Sequence, residues 1–298
     1  MEREILVEIG PLKEYEGIKS EAGENYGFKF ISNGKANTLK IKVHIEKSIA
    51  GAANTAQIYL WNLSRETREA LNTPGLSVNI YTRVNDGEYV LAFFGGLSGS
   101  FTERIGSDLR TRLMCWSAAS NLYQEAISIS YTKDVPVKNV VTEIAQKIPG
   151  IVVDPLMIKI DGKVGEKGIS EFGSIPYILD SLARQYGFSW SVLDGVFKAF
   201  PDGRGENTSF LLTASNGLIK VSPRFSGITQ VQVGVDIYSK YIEGINPYQN
   251  VRIESDVHPE KMNGEYLVHT LDADLCPKEE EGGWNMHISF FFREGDNG

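Results

Sequence analysis

The chain has 298 residues, 42% of them hydrophobic and 23% charged, which is ordinary for a folded protein, and no apolar run is long enough to cross a bilayer. Its formal charge of −8 excludes a general phosphate-gripping surface, which requires clustered Lys and Arg. Cys115 and Cys276 lie far apart in strand-like contexts and imply no disulfide framework.

Met1-Glu-Arg-Glu opens on charge without an apolar stretch behind it, so no secretory signal is expected. Ile5, Val7 and Ile9 alternate as a short strand, and Glu14, Glu16, Glu21 and Glu24 make a polar arm. Phe28 and Phe30 begin a second strand that stops at Asn33-Gly34. Leu39, Ile41, Val43 and Ile45 then alternate strictly with Lys40, Lys42, His44 and Glu46, the pattern of a strand with one face on a core and the other on solvent or a subunit. After a small-residue loop, Ser48 to Asn54, Ile58 and Leu60 fall on one side of a further strand and Tyr59, Trp61 and Leu63 on the other. Apolar weight on both faces predicts an inner strand. Ser64 is placed to cap a helix over Arg65 to Leu71, with Glu66 in its positive first turn. Strands are expected at Ser77 to Thr82, Tyr89 to Phe94 and Arg110 to Trp116, the first two joined by the turn Asn85-Asp-Gly87. Short strands at close intervals indicate a sandwich or barrel over residues 1–120.

Between Val135 and Phe200 the period changes from two to 3.6. Val137, Val140, Val141, Ile144 and Ile148 share one helical face, with Pro136 in a first-turn position and Pro149-Gly150 as the stop. Ile175, Ile178, Leu179, Leu182 and Tyr186 repeat the template behind a Ser174 cap, with Gly187 just past the end. A hairpin over Phe188 to Phe200 turns at Asp194-Gly195. Residues 121–207 thus read as a small α/β module ending in the polar linker Pro201 to Asn207. Beyond it Val231, Val233, Val235 and Ile237 alternate with Gln232, Gly234, Asp236 and Tyr238, and Tyr266 to Leu275 and Trp284 to Phe292 form two strands around the acidic loop Lys278 to Gly283. Residues 208–298 are a second β domain, with no residue-level repeat of the first. The expected class is mainly β with a small α/β module, α+β overall.

No pattern supports catalysis or a cofactor. His258, His269 and His287 fall in the last domain without the spaced Cys or carboxylate partners of a zinc site. Gly162 to Gly168 lacks the order of a phosphate loop, and Asp154 and Asp161 are not poised as an acid and base pair. Trp61, Trp116, Trp190 and Trp284 are spread singly through strand patterns, where core packing outweighs stacking on a ligand. The chain is expected not to be an enzyme and to hold no metal or cofactor. A carbohydrate- or peptidoglycan-binding module is the alternative reading.

The segment Ala56-x-Ile58-x-Leu60-x-Asn62-Leu63-Ser64-x-x-Thr67-Arg68 resembles one recurrent in bacteriophage tail baseplate hub proteins. The resemblance continues in Phe94-Gly-Gly, Leu113-x-Cys115-x-Ser117, Asn246-Pro247, Val251-x-Ile253 and Asn263 to Val268, in order over most of the chain. It implies two tube-protein-like β domains flanking the middle module, as a tube-to-spike adaptor of contractile tails and related injection particles. It also implies a homotrimeric ring in the virion, assembled in the host cytoplasm, between a six-fold tail tube and a three-fold central spike. Tail tube protein, spike, tape-measure protein and other baseplate proteins would be its partners, and DNA would pass without specific binding through a channel lacking a continuous basic lining. On that reading Ile58, Leu60, Asn62, Leu63, Ser64 and Thr67 are structural. The outward polar positions Lys40, Lys42, His44, Gln232, Asp236 and Tyr238 are candidates for the subunit interface.

Overall fold

A computed structural model describes residues 2–11, 27–50, 54–73, 75–117, 126–225, 231–257, 262–278 and 283–291. The polar arm from Glu14 to Glu24, His258 and the acidic run Glu279 to Glu281 lie outside the described residues. The first β segment holds β1 (Arg3–Pro11), β2 (Phe28–Ser32), β3 (Ile41–Ser48), β4 (Thr55–Trp61), α1 (Arg65–Ala70), β5 (Leu76–Val84), β6 (Val90–Ile105) and β7 (Asp108–Trp116). The middle module holds β8 (Ala126–Tyr131), α2 (Val137–Ala145), β9 (Ile169–Ser174), α3 (Ile175–Tyr186), β10 (Phe188–Leu193) and β11 (Val196–Pro201). The last segment holds β12 (Ser209–Thr213), β13 (Leu218–Phe225), β14 (Gln232–Lys240), β15 (Asn250–Glu254), β16 (Gly264–Leu275) and β17 (Trp284–Phe291).

Both β segments belong to one sheet, in the order β13-β14-β17-β16-β3-β4-β7-β6-β5-β1-β2, with β15 and then β12 attached beside β16. The joint between the segments is the antiparallel pairing of β16 with β3, Thr270 opposite Ser48 through Leu275 opposite Val43. Alternation decides which face is buried. Ile41, Val43 and Ile45 of β3, Ala56, Ile58 and Leu60 of β4, and Ala273 and Leu275 of β16 all point into a single core. The sheet curls around that core, so that the Arg3 guanidinium of β1 lies 5.8 Å from the Trp284 ring of β17. Each fully buried aliphatic side chain contributes roughly 1.5–3 kcal/mol, so a core drawing on both segments binds them together far more strongly than the six residue pairs of the β16–β3 ladder alone.

Within this sheet the connectivity repeats. β3, β4, β6 and β7 lie side by side as β3-β4-β7-β6, and β13, β14, β16 and β17 lie as β13-β14-β17-β16, the same order in the same direction. The bends repeat too. β16 pairs with β15 through Leu267, shifts register between Val268 and Thr270, and then runs beside β17. β6 pairs with β5 through Gly96, shifts register between Leu97 and Gly99, and then runs beside β7. One difference stands out: past its bend, β16 has β3 on its other side, whereas no strand among the described residues occupies that side of β6.

The middle module has its own core. Val137, Val140, Val141 and Ile144 of α2 and Ile175, Ile178, Leu179 and Leu182 of α3 are buried against Trp190, Val192 and Phe197 of the β10–β11 hairpin. Pro136 is the N-cap residue of α2, one place before the first turn. Ser174 caps α3 by accepting from Tyr177 N at 3.4 Å, and Gly187 ends it in the left-handed region, φ 67°.

Two local expectations change in the fold. Leu63 does not share the Tyr59 and Trp61 face. Asn62 takes φ 58°, which breaks the alternation and turns Leu63 into the core. Nor does β6 stop at Phe94; it runs on through Gly95 and Gly96 to Ile105. A Cβ on Gly95 would stand 2.2 Å from the Trp116 carbonyl oxygen, whereas one on Gly96 meets nothing nearer than 4.0 Å. Close passage of the two backbones therefore requires glycine at the first position only. Gly95→Ala is expected to cost about 1–3 kcal/mol through overpacking, and Gly96→Ala to stay within about 0.5 kcal/mol. Urea unfolding of the two variants checks the contrast.

Candidate assembly surface

The Asn62 segment works as a brace. Its Nδ2 donates to Asp108 Oδ1 at 3.0 Å and its Oδ1 accepts from Leu109 N at 2.9 Å, while its own N–H donates to Leu109 O at 2.7 Å. The strand end is thereby pinned to the turn of the β6–β7 hairpin. Ser64 Oγ accepts from Thr67 N at 3.1 Å and lies 2.9 Å from Thr67 Oγ1, capping α1. Beyond that helix Asn72 accepts from the Ser100 hydroxyl of β6. Ile58, Leu60 and Leu63 anchor the brace in the core. It presents no reactive group and holds the long hairpin from beneath.

A second constellation fixes the middle module to the sheet. Lys47, buried on β3, donates to Asp194 Oδ2 at 2.5 Å and to Asn246 Oδ1 at 2.8 Å. Asp194 sits in the β10–β11 turn at φ 49°, and its other oxygen accepts from Phe94 N at 3.2 Å. Asn54 Nδ2 donates to Val192 O at 2.7 Å, its Oδ1 accepts from Ser48 N at 2.6 Å, and its backbone N–H donates to Ser117 Oγ at 3.1 Å. Ser117 Oγ donates in turn to Val192 O at 3.0 Å, and Ser191 Oγ to Ser48 O at 2.9 Å. Burial pulls the Lys47 ammonium below its usual pKa against the opposing pull of Asp194. The sequence does not reveal this joint, although Phe94, Ser117 and Asn246 belong to segments that carry the resemblance and Asn54 lies two residues before one of them.

The outer face of the sheet gathers most of the interface candidates. Lys42 stands opposite Tyr59, and His44 opposite Gln57 on one side and Asp274 on the other. Tyr238 stands opposite His287, and Asp236 accepts from Arg224 at 3.0 Å. Lys40 precedes β3, its ammonium 4.8 Å from the Trp61 ring centroid. Gln232 lies at the start of β14 and donates to Gly234 O at 3.2 Å. Across this face Glu46, Asp236, Asp272, Asp274 and Glu103 interleave with Lys42, Arg110, Arg112 and Arg224, so there is no continuous basic band. Trp190 and Trp284 are buried in the cores, whereas Trp61 is half-buried and Trp116 43% exposed, against the expectation of core packing, because both fall on the outward side of their strands. The His269 ring lies 5.0 Å from that of Phe291, and burial lowers its pKa to about 4. Among the described residues no three His, Cys, Asp or Glu side chains converge as metal ligands, and no helix is long and apolar enough to cross a membrane.

Among the described residues, the band β13-β14-β17-β16-β3-β4-β7-β6 ends in two open edges. One is the Leu97–Ile105 stretch of β6, the other is β13. Unpaired edges of this length invite another strand. Each carries apolar side chains in solvent: Phe101 is 56% and Ile105 43% exposed on β6, Ile219 52% and Phe225 57% on β13.

The fold recurs in solved structures. The chain is similar to a tail protein from Neisseria meningitidis MC58, with TM-score 0.64 and 10% identity over 97% of this chain and 96% of that one. The fold is a tail-protein fold. A 43 kDa tail protein of prophage MuSo2 from Shewanella oneidensis matches with TM-score 0.61 and 13% identity over 96% of each chain. So does the E. coli c3393 protein, with TM-score 0.61 and 9% identity over 88% of this chain and 76% of that one. That protein is described as a component of the type VI secretion system with structural similarity to the T4 tail proteins gp27 and gp5. No family model and no curated protein matches the sequence, so the likeness lies in the fold.

Removing one partner of a buried ion pair leaves an uncompensated charge, so Lys47→Met and Asp194→Asn should each cost about 3–5 kcal/mol. The double variant should recover part of the loss, which a double-mutant cycle in urea measures. Asn62→Ala forfeits two side-chain hydrogen bonds and strains a left-handed backbone, an expected cost of about 1–2 kcal/mol in the same assay.

Proposed function

We propose that the chain is a non-catalytic structural hub of a phage tail baseplate or a related injection particle. Three copies form a ring that adapts a six-fold tail tube to a three-fold spike and leaves a channel for DNA. The observation that carries this reading is the repeated connectivity with its two open edges. Inside one chain, the last strand of one repeat, β16, is closed by the first strand of the next, β3. Among the described residues, the equivalent last strand of the other repeat, β6, lacks such a partner, and the equivalent first strand, β13, is open on its outer side. Setting β13 of one copy against β6 of the next repeats the β16–β3 joint between chains.

Such a contact is heterologous, and a heterologous contact that closes on itself makes a ring without leftover patches. Each chain supplies two similar units, so three chains present six toward the tube and three toward the spike. In this arrangement the two β segments are the tube-like domains and the helices of the middle module lie outside the ring. The spike, the tail tube protein, the tape-measure protein and neighbouring baseplate proteins are its partners, and the virion tail is its location. The mixed charge of the outer face suits a channel that lets DNA pass without holding it.

The seam also supplies a register. Asp272 of β16 faces Glu46 and Asp274 faces His44. Aligning the repeats at their bends places Phe101 opposite Arg224 and Glu103 opposite Ser222 of the next copy. In the double variant Glu103→Cys, Ser222→Cys, mild oxidation of concentrated protein should give a covalent series that stops at three chains on a denaturing gel. A series ending at two or running on past three, or no cross-link at all, would contradict the ring. Retention by cell-wall polysaccharide without retention by a spike protein would favour the glycan-binding alternative.

A further inference from the structure

A row of imidazoles and carboxylates crosses the outer face at the seam between the two β segments. His44 Nδ1 lies 3.0 Å from Asp274 Oδ1 and its Nε2 3.1 Å from Glu46 Oε1. His287 Nδ1 lies 3.5 Å from Asp272 Oδ2 and its Nε2 3.9 Å from Asp236 Oδ1. Each ring therefore meets a carboxylate at both nitrogens. A neutral imidazole donates from one nitrogen only, so both contacts are favourable together only in the imidazolium form. The register sharpens the requirement, since Asp272 stands directly opposite Glu46 and like charges so placed repel.

The surroundings offer few alternatives. From β4, Gln57 faces His44 and Thr55 donates to Glu46 at 3.1 Å. From β14, Tyr238 faces His287, and from β13 Arg224 pairs with Asp236 at 3.0 Å. Lys42 flanks His44 on β3, opposite Tyr59. With both rings neutral, Glu46, Asp236, Asp272 and Asp274 would have Arg224 as the one cation paired with the row among the described residues.

We propose that Asp236, His287, Asp272, Glu46, His44 and Asp274 form a proton-operated clasp across the seam: two protons per chain, taken up by His44 and His287, hold β14, β17, β16 and β3 together. It is a property of the single chain and stands apart from the ring. Burial disfavours the charged form of His44, but the bonds to Glu46 and Asp274 outweigh it, and for His287 the bond to Asp272 outweighs burial and Arg224, so both rings end above the ordinary 6.5. A raised histidine stabilises the fold fully below the unfolded value and loses that contribution as pH rises through the folded one. His269 acts in reverse, because its lowered value makes stability fall as pH drops from 6.5 towards about 4. The combined contribution of His44, His269 and His287 therefore peaks near pH 6.5.

The test compares urea midpoints of the full wild-type chain and the variant His44→Gln, His287→Gln from pH 6.5 up to about 8.5. The wild-type midpoint should fall as pH rises through this window, and the variant's should stay level. Imidazole titration by NMR of the wild-type chain should place His44 and His287 above 6.5, and Asp274→Asn should bring His44 back toward it. Equal slopes in the two proteins, or wild-type ring midpoints at or below 6.5, would overturn the clasp.

Discussion

The contact between Lys47 and Asp194 is the constraint on which the arrangement of this molecule depends. Lys47 belongs to β3, the strand at the centre of the sheet, and Asp194 to the tip of the middle-module hairpin. Asn246 comes from the last β segment, and Phe94 offers its backbone N–H from the first. One buried charge thus ties together all three parts of the chain. Such a pair adds little net stability over an apolar contact, because desolvation offsets its attraction. What it does is penalise every alternative seating, since any displacement of the hairpin leaves an ammonium without a counter-charge in a dry interior. Asn54, Ser117 and Ser191 extend the same restriction, each satisfying a backbone group that the joint buries.

The sheet that this joint steadies is built by repetition, and the two repeats have diverged at their edges in a physically sensible way. The seam closed within the chain, β16 against β3, carries imidazoles and carboxylates on its outer face. The edges left open, β6 past its bend and β13, carry exposed Phe101, Ile105, Ile219 and Phe225. A contact made during folding tolerates polar partners held at high effective concentration. One made between separate chains must offset the loss of translational freedom, and buried apolar area is the means. The Asn62 brace fits this division, because it pins the turn of the hairpin whose β6 edge is open among the described residues.

How much of this was legible in the sequence follows from what each residue has to satisfy. α3 could be read to the residue because Ser174, Pro176 and Gly187 mark its ends and its apolar face keeps the helical period. The Asp194-Gly195 hairpin was equally plain, since that pair suits a left-handed turn. β8, β9, β12 and β13 were not read as strands. They are short or lie at sheet margins, so neither face is uniformly buried and the period of two is lost. The Gly95-Gly96 pair looked like an end to β6 and is instead the bend that lets it continue. The repeat was invisible because its halves share only the order of in and out positions, and many side chains satisfy that order. The joint escaped for a different reason: Lys47, Asn54, Asp194 and Asn246 are ordinary loop and strand residues in sequence, and only the topology brings them together.

In the proposed ring of three, chains join edge to edge through β6 and β13. Electron cryo-microscopy of the assembled tail tip tests it most directly, because strand pairing between copies is visible in the map. Three copies of this chain are expected around the axis, with β13 of each running antiparallel beside Leu97–Ile105 of its neighbour and the middle module outside the ring. Six copies, or three copies whose β6 and β13 edges face solvent or another protein, would contradict it.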